Sequence, residues 1–174
     1  AAIFPWSEGE PVCQRAVTMA HARRVGESLA RVHRAGASLR DPPPDRFALH
    51  HLAERLAKID ARGLSPALKS DVAMLVRKVE ALRREPPSTP GALIHGDLFR
   101  DNVLWRGDTL SALIDFESAS WGSGPFDLMV TALAWCYGDT LDLGLVRAMV
   151  AGYGSVREFT DTERSELHRA ARTA

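Results

Sequence analysis

Three oxygen-bearing side chains in the middle of the chain have the types and spacing needed to hold a divalent cation beside a hydroxyl group. Four residues separate Asp97 from Asn102, and Asp115 follows the apolar pair Leu113-Ile114. Carboxylate and amide oxygens are the ligands that Mg²⁺ prefers, and a carboxylate can also accept a hydroxyl proton. A short loop lets Asp97 face a hydroxyl while Asn102 faces a metal ion. A hairpin between Asn102 and Asp115 would bring these two residues together.

This arrangement predicts phosphoryl transfer to a hydroxyl group. The reaction needs in-line positioning, Mg²⁺ to neutralise phosphate charge, and a carboxylate that orients the hydroxyl and accepts its proton. Catalytic loops of the protein-kinase type supply these from an Asp, four residues and an Asn, followed by a second Asp just after a strand. We therefore expect an enzyme that uses ATP and Mg²⁺ to phosphorylate a small hydroxyl-bearing acceptor.

The residues around this motif closely resemble the aminoglycoside phosphotransferase/choline kinase superfamily, whose signature is His-Gly-Asp, four residues and Asn. Within it, the strings from Ile94 to Leu104 and from Leu113 to Phe116 are most similar to the type II homoserine kinase group. The similarity extends to Phe4-Pro5-Trp6 and to Pro43 through Phe47, and so covers nearly the whole chain. It implies an α+β, mainly helical fold, the C-terminal lobe of a protein kinase-like (aminoglycoside phosphotransferase-type) structure, with homoserine or a similar amino alcohol as acceptor.

The resemblance also implies roles for the residues of the central motif. Asp97 would be the catalytic base, and Asn102 and Asp115 would be the Mg²⁺ ligands. His95 would belong to the catalytic set by holding the loop through hydrogen bonds, although a neutral histidine can also take part directly in chemistry. Asp127 would brace the loop from the start of a helix, or else only cap that helix.

ATP would be bound at a second group of residues that the resemblance assigns. The backbone of Phe4, Pro5 and Trp6 would form the hinge that meets the adenine ring. Leu104 and Ile114 would form the floor of the adenine pocket. We assign residues 1–12 to the end of an N-terminal-lobe strand and the hinge, and residues 13–174 to a helical catalytic lobe with a central β-hairpin. The N-terminal lobe that covers the ATP phosphates does not precede Ile3, so we expect this chain alone to be poorly active.

Three neighbouring side chains have open interpretations. Asp101 is either a solvated carboxylate paired with Arg100 or an accessory metal ligand. Glu117 either touches metal or substrate or braces the loop by a hydrogen bond. Trp135 fits the core better than an acceptor pocket, and Cys136 fits a small buried hydrophobe.

Periodicity and capping signals predict the elements that position these residues. Apolar residues at steps of three and four predict helices from Val17 to a cap at Gly36, and again from Leu49 to Ile59. Ser65-Pro66 is a strong helix start, and Leu68, Val72, Leu75, Val79 and Leu82 are expected on that helix's buried face. Further elements are a strand over 92–94, a hairpin from Val103 to Ile114, and helices over 125–136, about 141–151, and from Thr160 with Glu163 in a capping box.

Composition excludes several other classes of protein. The chain has 22 basic and 22 acidic residues and therefore no net charge, whereas proteins that bind nucleic acids usually carry a basic excess. Its two cysteines are too few for a disulfide framework, and no apolar run is long enough to span a bilayer. We expect a cytoplasmic protein whose partners are ATP, a small acceptor and its own N-terminal lobe, not nucleic acid or a membrane.

Two other functional classes share some of these features. A non-catalytic pseudokinase or scaffold would typically have lost one of the three motif residues, yet all are present. A metal-dependent phosphohydrolase would need more ligands, such as a second His-Asp cluster, and the sequence offers none. An aminoglycoside- or choline-type kinase with another acceptor remains an alternative, because a few pocket contacts set specificity.

Overall fold

The computed structural model describes residues 5–84 and 91–174 and has the α+β, mainly helical architecture expected from the sequence. Its described part contains six α-helices, four β-strands and several single 3-10 turns. In chain order the helices and strands are α1 Met19–Gly36, α2 Leu49–Ala57, α3 Pro66–Arg83, β1 Gly91–Ile94, β2 Val103–Arg106, β3 Thr109–Leu113, β4 Ser120–Ser123, α4 Gly124–Cys136, α5 Leu143–Val156 and α6 Asp161–Thr173.

The strands form two small antiparallel pairs. β2 and β3 make the predicted hairpin, in which Val103 lies opposite Leu113 and the register shifts between Leu104 and Trp105. β1 pairs with β4, which the sequence analysis did not predict. The segment 95–102, called here the 95–102 loop, connects β1 to β2. It is therefore held between one strand pair and the other.

The core lies where α1 crosses α5. Gly26 of α1 and Gly152 of α5 face the opposite helix so closely that an added Cβ would lie 2.1 Å from a backbone oxygen, that of Met149 or of Arg23 respectively. Helix interiors normally disfavour glycine. Here the absence of a side chain at each of these positions allows the two backbones to approach. Helix α4, which carries the buried Trp135, packs on both α5 and α6.

We expect Gly152→Ala to destabilise the chain by about 3 kcal/mol, because backbone cannot yield as a flexible side chain can. Urea unfolding followed by circular dichroism measures this. Gly154→Ala is the matched control in the same helix, where the added Cβ would lie 3.5 Å from Phe159 in ordinary contact. That control should gain up to about 1 kcal/mol from helix propensity. Equal effects of the two changes would contradict the close crossing.

The predicted helix starts are confirmed by their caps. The Ser65 side chain accepts from the Leu68 amide with Pro66 at the first helical position, and Thr160 and Glu163 form the complete capping box. Gly36 is the last residue of α1, but the cap itself is Ala37. The reason for a glycine at 36 is packing, since an added Cβ would lie 2.3 Å from Leu93 of β1.

The buried face predicted for α3 is wrong over its first half. Val79 and Leu82 are buried, whereas the side chains of Leu68 and Leu75 are 52% and 44% exposed. The first half of this helix packs mainly on α2, which is itself a surface helix without a buried residue. Apolar periodicity identified the helix correctly, but the core reaches only its last two turns.

The segment before α1 lies along the hairpin. The amide and carbonyl of Glu10 exchange hydrogen bonds of 3.0 Å with those of Trp105, and the Ser111 hydroxyl donates to the Glu8 carbonyl. The predicted strand and hinge over residues 3–6 lie partly outside the described residues. Within the described ranges, no helix combines the length and apolar character needed to cross a membrane.

Candidate active site

The 95–102 loop folds back on itself through one side chain. The side-chain nitrogen of Asn102, Nδ2, donates to the backbone carbonyl of Asp97 at 2.7 Å and lies 3.5 Å from the Asp97 carboxylate. This hydrogen bond uses the side-chain nitrogen of Asn102 and not its side-chain oxygen. Asn102 is buried while Asp97 is half-buried. The loop therefore fixes both predicted residues relative to each other.

Asp115 arrives beside Asn102 through the hairpin. The Ile114 amide donates to the Asn102 carbonyl at 3.0 Å, which extends the β2–β3 pairing by one step. Asp115 then adopts a left-handed backbone conformation with φ of 62°, and its side chain is exposed. Aspartate tolerates this region better than most residues. The chain leaves the strand at this residue and continues into the short turn Phe116–Ser118.

The His95 ring is buried under the same residues. Its Nε2 lies 3.1 Å from the Ile114 carbonyl, and its ring centroid lies 4.5 Å from that of Phe116. A fully buried ring that bonds a backbone carbonyl joins the start of the 95–102 loop to the end of β3. The ring uses Nε2 for this link, while its buried Nδ1 has no hydrogen-bond partner in the described part of the chain.

The Asp127 carboxylate anchors the other side of the loop. Its Oδ1 accepts from the Gly96 amide at 2.9 Å, and its Oδ2 accepts from the His95 amide at 2.8 Å. Gly96 has φ of 78°, which favours glycine. Ser123, not Asp127, caps α4, since its hydroxyl accepts from the Phe126 amide. Of the two interpretations of Asp127, the structure supports bracing of the loop.

A buried chain of polar groups continues from Asp127 into α1 and α5. His33 of α1 lies between two partners, with Nε2 at 2.8 Å from Asp127 Oδ2 and Nδ1 at 2.7 Å from the Tyr153 hydroxyl. Arg157 donates to the Tyr153 hydroxyl and to Glu163 of α6, at 3.2 and 2.6 Å. A neutral His33 that donates through Nε2 and accepts from Tyr153 satisfies every group in this chain.

Burial and pairing shift the pKa values along this chain. Burial raises the pKa of the Tyr153 hydroxyl above its usual range, so this group stays protonated. Burial opposes the charges of Arg157 and Glu163, but their ion pair outweighs it. The pKa of Arg157 is therefore raised and the pKa of Glu163 lowered. Tyr153 therefore stays a neutral hydroxyl beside a charged Arg157–Glu163 pair.

Sequence reasoning missed His33, Tyr153, Arg157 and most of the role of Glu163. The sequence does carry one signal for His33. It follows Val25 and Leu29 at the same spacing of four residues, so it lies on the buried face of α1. A buried histidine requires polar partners. Nothing in the sequence identified Tyr153 as that partner, because the two residues lie 120 positions apart.

Two of the residues predicted to bind ATP belong to the hairpin region, and two precede the segment that lies along it. Leu104 and Ile114 are half-buried, and Pro5 and Trp6 are exposed, with Trp6 at 89%. Phe4 lies outside the described residues. Gly9 packs against Leu104, because an added Cβ there would lie 3.0 Å from the Leu104 Cβ. The segment that follows Trp6 therefore contacts the predicted floor of the adenine pocket.

The contacts of Arg100 and Glu117 differ from those expected from the sequence. Arg100 donates to the Ala134 carbonyl, and within the described part of the chain it forms no ion pair with Asp101, which is exposed. The expected Arg100–Asp101 pair is therefore wrong. The Glu117 backbone carbonyl accepts from Arg46 at 2.5 Å, while its side chain is exposed.

Two core interpretations are confirmed. Trp135 is fully buried, and its indole nitrogen donates to the Leu98 carbonyl at 2.9 Å, which ties α4 to the 95–102 loop. Burial raises the pKa of the Cys136 thiol to about 12, so that this cysteine is an unreactive core residue.

The oxygen-bearing side chains near Asp97 suit a cation that takes its remaining ligands from phosphate and water. Across residues 5–84 and 91–174, no three His, Cys, Asp or Glu side chains are grouped closely enough to hold a metal ion among themselves. Asn102 directly precedes β2 and Asp115 follows Ile114 after β3, so one amide and one carboxylate lie at the same end of the hairpin. Mg²⁺ is commonly held by one or two protein oxygens together with phosphate oxygens and water. The residues present fit such an ion.

Comparison with known proteins agrees with this geometry. The homoserine kinase of Beijerinckia indica is 37% identical over 161 residues, which are 88% of this chain and 50% of that protein. The chain spans about half the length of the curated relatives it matches. A choline kinase from Cryptosporidium parvum superposes with a TM-score of 0.67 at 16% identity, covering 99% of this chain and 62% of that one.

An aminoglycoside phosphotransferase from Alicyclobacillus acidocaldarius superposes with a TM-score of 0.64 at 21% identity, over 97% of this chain and 56% of that one. These two structures show that the fold is the kinase-like one that the sequence motif implied. The profile described as "Phosphotransferase enzyme family" matches residues 1–159, which include the 95–102 loop, the hairpin and Asp127. The chain therefore belongs to the phosphotransferase enzyme family.

Proposed function

We propose that this chain is the catalytic half of a small-molecule kinase that transfers the γ-phosphate of ATP to an acceptor hydroxyl. The observation that carries the proposal is the convergence of Asp97, Asn102 and Asp115. A hydrogen bond from the Asn102 side chain holds it against Asp97. A backbone hydrogen bond joins Ile114, the residue before Asp115, to Asn102. These three residue types in this order are what phosphoryl transfer requires.

Each residue then has one task. Asp97 orients the acceptor hydroxyl and accepts its proton, since its half-buried carboxylate lies beside the side chain of Asn102. Asn102 and Asp115 hold Mg²⁺, which when bound neutralises the charge of the transferring phosphate. His95 and Asp127 fix the loop from opposite sides without touching the reacting atoms. In this scheme His95 is a positioning residue.

The ATP site involves a second lobe in this proposal. Pro5 and Trp6 lead into the segment that contacts Leu104, and the adenine ring would lie against Leu104 and Ile114, beside the place where this segment bonds to the hairpin. The relatives that this chain matches are about twice its aligned length. We propose that the active enzyme combines this chain with an N-terminal lobe that covers the ATP phosphates. That combination is called here the two-lobe protein.

The proposed acceptor is homoserine or a similar amino alcohol, on the strength of the names of the relatives. Those names describe homoserine kinases at 34–37% identity. A choline-type or aminoglycoside-type acceptor is the alternative, which rests on structures that share the fold at 16–21% identity. Fold similarity alone supports many acceptors, so the sequence relatives carry more weight.

An acceptor screen tests the proposal. The two-lobe protein, built by joining this chain to the N-terminal lobe of the Beijerinckia indica relative, is incubated with MgATP and single acceptors. We expect ADP release that depends on L-homoserine and exceeds the release with choline or an aminoglycoside by at least about tenfold. Background ADP release that no acceptor increases would contradict the proposed reaction.

A further inference from the structure

A cavity of about 460 Å³ lies between residues 45–55, the end of α3 and the C-terminal half of α6. Its walls combine apolar side chains with an excess of cationic ones. Apolar contacts come from residues such as Phe47, Leu52 and Ile94, and among the described residues of the lining four arginines are set against two carboxylates. A volume of this size accommodates a small metabolite.

The positive charge of this cavity is only partly neutralised. Arg83 pairs with Glu80 at 3.2 Å. In the described part of the chain, Arg46, Arg55 and Arg169 have no carboxylate partner within ion-pair distance, and the buried Nε of Arg169 has no hydrogen-bond partner at all. An unsatisfied buried guanidinium nitrogen is costly. Such a lining favours an anion and repels a cation.

The cavity adjoins the 95–102 loop. Phe47, in its wall, occupies the space beside Gly96, where an added Cβ would lie 2.5 Å from the ring, and Gly96 directly precedes Asp97. Arg46, also in the wall, reaches the Glu117 carbonyl two residues after Asp115. The wall of this cavity is therefore in contact with the 95–102 loop and with the turn that follows Asp115.

We propose that this cavity binds the carboxylate end of the phosphoryl acceptor, with Arg46 and Arg55 as the cationic contacts. The inference rests on the proposed phosphotransferase function and narrows its acceptor class to hydroxylated carboxylic or amino acids. Choline and aminoglycosides are cationic and lack a carboxylate, so the same arginines disfavour them. The apolar wall around Phe47 and Leu52 contacts the carbon chain of the acceptor.

A binding experiment on the chain tests this assignment without ATP. L-Homoserine is titrated into isotope-labelled chain and followed by NMR, beside 2-aminobutane-1,4-diol, which replaces the carboxylate with a neutral hydroxymethyl group, and choline. We expect L-homoserine to shift the amides of residues 46–55 and to bind at least about tenfold more tightly than the diol, because an arginine–carboxylate bond is charge-assisted. Equal binding of acid and diol would overturn the inference.

Arg55→Gln supplies the second arm, with Arg24→Gln as its matched control. Arg24 is an exposed arginine on α1 outside the cavity wall, so both variants lose the same charge from the surface. Arg55→Gln should weaken L-homoserine binding about tenfold and raise its KM similarly in the two-lobe protein, with kcat little changed. Unaltered affinity in Arg55→Gln, or an equal loss in Arg24→Gln, would refute the assignment.

The two proposals fail in different ways. If the two-lobe protein phosphorylates an acceptor but Arg55→Gln changes neither its KM nor its binding, the cavity assignment fails and the phosphotransferase stands. If L-homoserine binds with the expected dependence on Arg55 but no acceptor increases ADP release, the cavity assignment stands and the proposed reaction fails.

Discussion

Asp97→Asn in the two-lobe protein should lower kcat by about 10²- to 10⁴-fold, the range associated with loss of a general base. The asparagine keeps the size of the side chain and can keep the contact with Asn102, but it cannot accept a proton at neutral pH. Affinity for MgATP should change little, because Asp97 is not among the proposed metal ligands. Steady-state ADP release and equilibrium nucleotide binding, measured on the same preparation, separate the two effects.

Asp101→Asn is the matched control for this variant. Asp101 lies in the same loop, is exposed, and forms no ion pair with its neighbour Arg100 in the described structure. The kcat of the Asp101→Asn variant should stay within about twofold of wild type.

Asp115→Ala should instead weaken the Mg²⁺-dependent part of nucleotide binding. Wild-type kcat in Asp97→Asn would remove Asp97 from the role of base, whatever the behaviour of the other two variants.

Asp127→Asn should destabilise the isolated chain by about 3 kcal/mol. Both carboxylate oxygens of Asp127 accept buried hydrogen bonds, one from Gly96 and two from His95 and His33. Asparagine has only one side-chain oxygen. Its NH₂ group would take the place of the other oxygen and point at an N–H donor in this buried site. Leaving a buried donor unsatisfied costs about 1–3 kcal/mol, and bringing two donors together adds to that. For a chain of this length we expect a Tm lower by roughly 6–12 °C.

The matched control for Asp127→Asn is Asp142→Asn. Asp142 is exposed and caps α5 through hydrogen bonds from the Gly144 and Leu145 amides to one oxygen. Asparagine caps helices about as well as aspartate, so the free energy of unfolding should change by only a few tenths of a kcal/mol. Thermal and urea unfolding of the two variants give the comparison. Similar stabilities for both would mean that the Asp127 hydrogen bonds do not brace the loop.

Much of this architecture was predictable because local chemistry determines it. The helix starts at Ser65 and Thr160 follow from hydroxyl capping of free amides. The hairpin follows from two apolar runs around Gly107, which has φ of 55°. The spacing of Asp97 and Asn102 predicted a shared loop, and the two residues are indeed in contact.

The features that the sequence did not predict depend on distant partners. β4 reads as Ser-Trp-Gly-Ser and has no strand pattern of its own, yet it pairs with β1 along its length. Leu68 and Leu75 have helical periodicity, but only the position of the core decides that they stay exposed. The link from Asp127 through His33 to Tyr153 joins three helices. No local pattern specifies such a link.

The crossing of α1 and α5 also has a consequence for how the lobe folds. These helices meet through two glycines and through the His33–Tyr153 hydrogen bond, whose residues are 120 positions apart. Closing a loop of that length costs about 4 kcal/mol of chain entropy before any contact repays it. The β-strands and the 95–102 loop all lie inside that closed loop. The hydrogen bonds from Tyr153 through His33 to Asp127 therefore form only when the two ends of the lobe have met, whereas the hairpin and the Asp97–Asn102 contact are local in the chain.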